Sequence, residues 1–108
     1  MEFKFLSVPK NIDRKASDYA FTIEDTADRK TGKEIIRGIT ELIGRCDTDF
    51  ATATSALAFA SGYMVAKLAS TISEFDDADR NLELAGLVYL KMVMMYAGLI
   101  ADGREPAD

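Results

Sequence analysis

Hydrophobic and polar positions change period several times along the chain, and each change marks an element. Met1, Phe3 and Phe5 alternate with Glu2 and Lys4, the period of two expected of a strand. Pro9 ends that segment, and the polar run from Lys10 to Asp18 reads as loop. Tyr19, Phe21 and Ile23 then alternate with Ala20, Thr22 and Glu24, which predicts a second short strand. Residues 1–24 therefore read as a β-ribbon or arm. A two-stranded ribbon is marginal in water, so its aromatic face needs a helical neighbour, in this chain or in another.

A helical period takes over after the charged linker at 25–30. Thr31-Gly32-Lys33-Glu34 has the spacing of a capping box. Behind it Ile35, Ile36, Ile39, Leu42, Ile43 and Cys46 share one stripe, while Glu34, Arg37, Glu41 and Arg45 pair three or four apart on the other side. This predicts helix A over 31–45, with Cys46 as a buried structural thiol. Asp47-Thr48-Asp49 offers an N-cap for helix B over 50–73, a stretch that holds a single charge, Lys67. Its faces differ in size rather than polarity. Phe50, Leu57, Met64, Leu68 and Ile72 make the bulky one; Ala51, Ser55, Ala58, Gly62, Ala66 and Ala69 make a seam small enough for close helix packing.

An acidic bend containing Asp76, Asp77 and Asp79 leads into helix C over 77–101, and Gly103 suits the position just past its end. Leu82, Ala85, Tyr89, Val93, Tyr96 and Ile100 form a regular inner stripe. The opposite face carries Leu84, Leu87, Val88, Met94 and Met95 around Lys91. A helix apolar all round is buried on every side or lies in a membrane. Three helices of so short a chain do not bury every side of one of them. The expected interface is therefore Leu84, Leu87, Val88, Lys91, Met94 and Met95 on helix C, with Ala58, Gly62 and Ala66 on helix B, covered by a second copy.

Composition narrows the chemistry. The chain has 108 residues, 48% hydrophobic and 29% charged, with one cysteine and no histidine. One domain over 1–108 is expected, and a domain of that size buries only a thin core. Without histidine there is no Ser-His-Asp or Cys-His catalysis and no His-ligated zinc. One cysteine rules out an intramolecular disulfide and fits a reducing compartment, so a cytoplasmic location is expected. The N-terminus lacks an uninterrupted apolar segment of the signal-peptide kind.

The formal charge of −5 falls entirely beyond residue 34, because residues 1–34 balance seven basic against seven acidic groups. An acidic body repels phosphate backbones, which argues against direct nucleic-acid binding. Asp77-x-Asp79-x-Asn81-x-Glu83 resembles the opening of a calcium loop. The loop's sixth and twelfth positions need Gly and Glu but hold Leu82 and Val88, so these carboxylates read as helix caps. Lys67 and Lys91 stand alone in apolar stretches, where a desolvated amine becomes a nucleophile, yet snorkelling explains them more simply. Gly32, Gly38 and Gly44 match no phosphate-binding spacing. No metal or cofactor is implied.

The residues thus predict a mainly α, three-helix dimer with a long B–C hairpin and a short N-terminal β-ribbon. The expected function is non-enzymatic. It is a protein-interaction module of the small acidic accessory type found in bacteria and phages, acting as adaptor, assembly chaperone or inhibitor. Asp76, Asp77 and Asp79 would face a basic partner protein, including one that itself binds nucleic acid. Two alternatives stand beside it: a membrane-associated helical hairpin, disfavoured by mid-segment lysines, and a small enzyme using a lysine or carboxylate.

Overall fold

The computed structural model describes residues 9–47 and 49–103, and among these the chain is mainly helical, with no strand. Four helices follow one another: α1 (Lys10–Thr26), α2 (Arg29–Arg45), α3 (Phe50–Ala69) and α4 (Ala78–Ala101).

The first correction is α1. The segment read as loop and second strand is one continuous helix, because its longer-range period is helical. Ile12, Ala16, Tyr19, Ala20 and Ile23 recur at three- and four-residue steps and all pack on the core. The Tyr19–Ile23 alternation spans too few residues to outweigh that stripe, and Phe21 is left exposed on the far side. Backbone amides of Ile12 and Asp13 donate to the Pro9 carbonyl, which opens the helix where proline is tolerated. The first expected strand, Met1 to Phe5, lies outside the described residues.

Helix α2 begins two residues before the expected helix A. Its cap is Asp28, whose carboxylate accepts from the Lys30 and Thr31 amides and from the Thr31 hydroxyl. Thr31 is thus a donor to the cap rather than the cap itself. Asp49 caps α3 through the Thr52 amide at 2.7 Å, and Asp77 caps α4 through the Asp79 amide at 2.9 Å. After α2 the chain turns at Asp47, whose φ of 48° is left-handed, a conformation aspartate tolerates better than most residues. Replacing Asp28 with Ala is expected to fray the first turn of α2, speeding exchange of the Lys30 and Thr31 amides about fivefold. Hydrogen-exchange mass spectrometry checks this, and Asp49→Ala should act likewise on Thr52.

Helix α4 is the central element, with α1 and α3 packed against it. The core is Ala16, Ile72, Leu84, Ala85, Leu87 and Val88, with Val65, Leu68 and Ala69 of α3 joining from the side. This corrects the expected interface. Leu84 is 1% exposed, Leu87 6% and Val88 0%, so these three are intramolecular core. The physical reason is α1: a fourth helix, where a ribbon was expected, covers the face of α4 that three helices leave bare. Conversely, Leu82, Val93 and Ile100 of the expected inner stripe are exposed.

The loop from Ser70 to Asp77 is held in place by side chains. Asn81 accepts from the Phe75 amide at 3.1 Å and donates to the Phe75 carbonyl at 2.9 Å, while the Arg80 guanidinium lies 4.1 Å from the Phe75 ring centre. These contacts let Ile72 drop into the core.

Candidate functional site

Two places merit description as sites: a polar cleft between α1 and the α3–α4 loop, and the apolar surface of α2, α3 and the end of α4.

The cleft is shallow and open, about 280 Å³, lined by Lys15, Asp18, Tyr19, Thr22 and Glu74. Helix α1 places Lys15 and Tyr19 one turn apart, and both reach Glu74 on the loop. The Lys15 ammonium donates to one Glu74 oxygen at 2.7 Å and the Tyr19 hydroxyl to the other at 3.0 Å. These two donors hold the Glu74 carboxyl below its ordinary range. Burial first, and then the hydrogen bond to anionic Glu74, push the Tyr19 phenol up. Lys15, Tyr19 and Glu74 are therefore spent on one another, an arrangement that ties α1 to the loop. Because the folded pKa of Glu74 is depressed, its contribution is present at neutral pH and is lost as pH falls through that lowered value. Glu74→Gln is expected to flatten the acid limb of stability, read by thermal melts between about pH 6 and about pH 2. An unchanged acid limb would show the tie to be energetically silent.

Two further links join α1 to α4. The Lys91 ammonium sits 2.8 Å from the Asp13 carboxylate, and the Tyr96 hydroxyl donates to Glu24. The Glu24 hydrogen bond is the main cause of an upward shift at Tyr96, with burial second. Lys91, expected at the interface or snorkelling, is in fact an ion-pair partner inside the chain. Lys67 is exposed, with its ammonium 6.0 Å from the Tyr63 ring centre.

The acidic bend does not assemble a metal set: no group of three or more Asp, Glu or Cys side chains among the described residues has that geometry. Asp77 is the α4 N-cap, and Asp76 and Asp79 are exposed. Cys46, expected to be buried, is exposed at the C-cap of α2.

The apolar surface is the larger feature. Helix α2 buries no residue at all, and Ile35, Ile36, Ile39 and Leu42 of its stripe stand in solvent. The stripe that predicted the helix thus has no buried residue among the described residues. Helix α3 meets the core only through its last two turns. Before them, Phe50 is 85% exposed and Phe59 83%, with Leu57, Tyr63 and Met64 beside them. The small-residue seam at Ala58, Gly62 and Ala66 is also exposed, and a Cβ added at Gly62 would meet nothing within 4 Å. Beyond the core, Val93, Met94, Met95 and Ile100 of α4 are exposed as well. Of the expected interface residues, Met94, Met95, Ala58, Gly62 and Ala66 lie on this surface, while Leu84, Leu87 and Val88 do not.

Sequence reasoning missed α2 as part of the surface. An amphipathic stripe says that a helix needs an apolar neighbour, and carries no information about which chain supplies it.

No protein-family model, no curated protein and no solved structure matches the chain.

Proposed function

We propose that the chain is a non-enzymatic protein–protein interaction module that works in the cytoplasm as a homodimer. The supporting observation is the pair of apolar helical surfaces that the chain leaves bare, α2 and the outer parts of α3 and α4. Isolated apolar side chains on a surface are ordinary, whereas contiguous apolar helix faces mark protein or membrane contacts.

The rest of the surface is acidic and suits a basic partner protein, with Asp76 and Asp79 outward at the α3–α4 bend. In this reading the dimer is an adaptor, assembly chaperone or inhibitor that neutralises such a partner, by competing with an acidic or phosphate ligand for it.

Hydrogen exchange tests the interaction reading. Amides of α2 and of α3 up to Met64 are expected to slow as protein concentration rises, because association covers them. Exchange that stays fast at every concentration, in detergent-free buffer, would sink it.

One observation favours a second reading. The 24 residues of α4 have a mean hydropathy of 1.8 over their most apolar window and are long enough to cross a membrane. Against it, α4 is the central packing helix of this fold and holds Lys91 in an ion pair with Asp13. Protection of α3 and α4 that appears only in the presence of lipid or detergent would favour the membrane over the dimer.

A further inference from the structure

We infer that helix α1 is an acid-released clasp: ionised Asp13, Glu24 and Glu74 hold it on α4 and on the loop before α4, and protonation of all three lets it go. This docking lies within one chain and is independent of self-association. Lys15 and Tyr19 of α1 both donate to Glu74 of the loop, at 2.7 and 3.0 Å. Asp13 of α1 faces the Lys91 ammonium of α4 at 2.8 Å, and Glu24 of α1 accepts from the Tyr96 hydroxyl of α4. Each link therefore contains a carboxylate, and the two on α1 itself lie roughly 16 Å apart along the helix axis.

The surrounding charges add to the effect. Asp18 also lines the Glu74 cleft, Lys15 and Arg80 both lie over the Phe75 ring, and Arg29 bears on Tyr96. Protonating Glu74 and Asp13 leaves the Lys15 and Lys91 ammonium groups without these counter-charges. Glu74 is held below the ordinary carboxylate range, so its share is intact at neutral pH and is lost as pH falls through that lowered value. The Tyr19 and Tyr96 phenols, both pushed up, stay protonated donors over the whole of that range.

The two helices packed on α4 are held by different chemistry. Helix α3 joins the core through Val65, Leu68 and Ala69, side chains with nothing to titrate. Helix α1 adds one wholly buried residue, Ala16, and half-buried Ile12, Tyr19, Ala20 and Ile23, so the carboxylate links carry part of its docking. The paired side chains are partly exposed, Lys15 and Glu74 at 42% and 30%, Lys91 and Asp13 at 28% and 55%. One such pair contributes little, and the strength of the clasp is the sum of its links. A 17-residue helix released from α4 is marginal in water, so its amides then exchange.

Hydrogen exchange on the full chain tests the clasp. Asp13→Asn/Glu24→Gln/Glu74→Gln removes the three charges at neutral pH and keeps the side-chain shapes. Protection of the α1 amides from Tyr19 to Ile23 is expected to fall about tenfold in this variant, while the α4 amides from Leu87 to Lys91 change less than about threefold. Between about pH 7 and about pH 2, well below the ordinary carboxylate range, the wild type should lose the same α1 protection once intrinsic exchange rates are corrected for. The triple variant, with nothing left to protonate at these places, should lose no more. An α1 that stays protected in the triple variant overturns the clasp. So does a loss shared equally by α1 and α4, which is cooperative unfolding rather than release, and so does a triple variant whose α1 still loosens in acid as far as the wild type's.

Discussion

Truncating Leu84 to alanine is expected to cost about 2–5 kcal/mol, the range for removing a fully buried leucine. Leu84 is one of the two largest wholly buried side chains among the described residues, and it sits where α4 meets the rest of the core. A domain of this length has only about 5–15 kcal/mol of stability in total. The truncation therefore removes a large share of it, since Ala16, Ala85 and Val88 around it are too small to close the cavity. Urea denaturation measures the effect as a lowered midpoint. A loss below about 1 kcal/mol would mean that Leu84 is partly open in solution, and that α1 does not cover α4 as described.

A pair of glutamates on the same helix is expected to give opposite results. Leu87→Glu places a carboxylate at a 6% exposed position, where burial of the charge outweighs Lys91 one turn on, already paired with Asp13, and should abolish cooperative unfolding. Met95→Glu, two turns on, places the same charge at an exposed position and should leave the melting transition within a few degrees of the wild type while weakening self-association. Both positions were expected on one interface from their spacing, and only the second remains there. Near-identical behaviour of the two variants would contradict the division of α4 into a core half and an exposed half.

That division explains how much the chain's pattern conveys. The helices at 29–45, 50–69 and 78–101 follow from long amphipathic or apolar runs bounded by Asp and Gly, signals that are local. The capping aspartates at 49 and 77 are likewise local. Helix α1 was hidden because Tyr19, Phe21 and Ile23 mimic a strand over five residues, while the stripe from Ile12 to Ile23 is interrupted by charge. A strand in place of α1 leaves the face of α4 holding Leu84, Leu87 and Val88 without cover, so the pattern alone points those residues at a partner. Helix α2 failed in the opposite sense. Its stripe implied burial inside the chain, yet Ile35, Ile36 and Ile39 lie in solvent. Periodicity states which residues need cover; only the three-dimensional arrangement states which of them the chain covers by itself.

The polar ties were illegible for the same reason. Lys15 with Glu74, Lys91 with Asp13 and Tyr96 with Glu24 are separated by dozens of residues, and no short-range spacing announces them. They nevertheless change the reading of the two candidate lysines. Lys91 is paired with the Asp13 carboxylate, and Lys67 is exposed beside Tyr63 of its own helix.

In the proposed homodimer, the bare faces of α2, α3 and the end of α4 are covered by another copy of the chain. Light scattering on detergent-free protein at micromolar concentration tests it most directly. A mass of twice 11.9 kDa, falling to a single chain for Ile36→Glu/Ile39→Glu, is the predicted result. A wild-type protein that stays at 11.9 kDa throughout that range would contradict it.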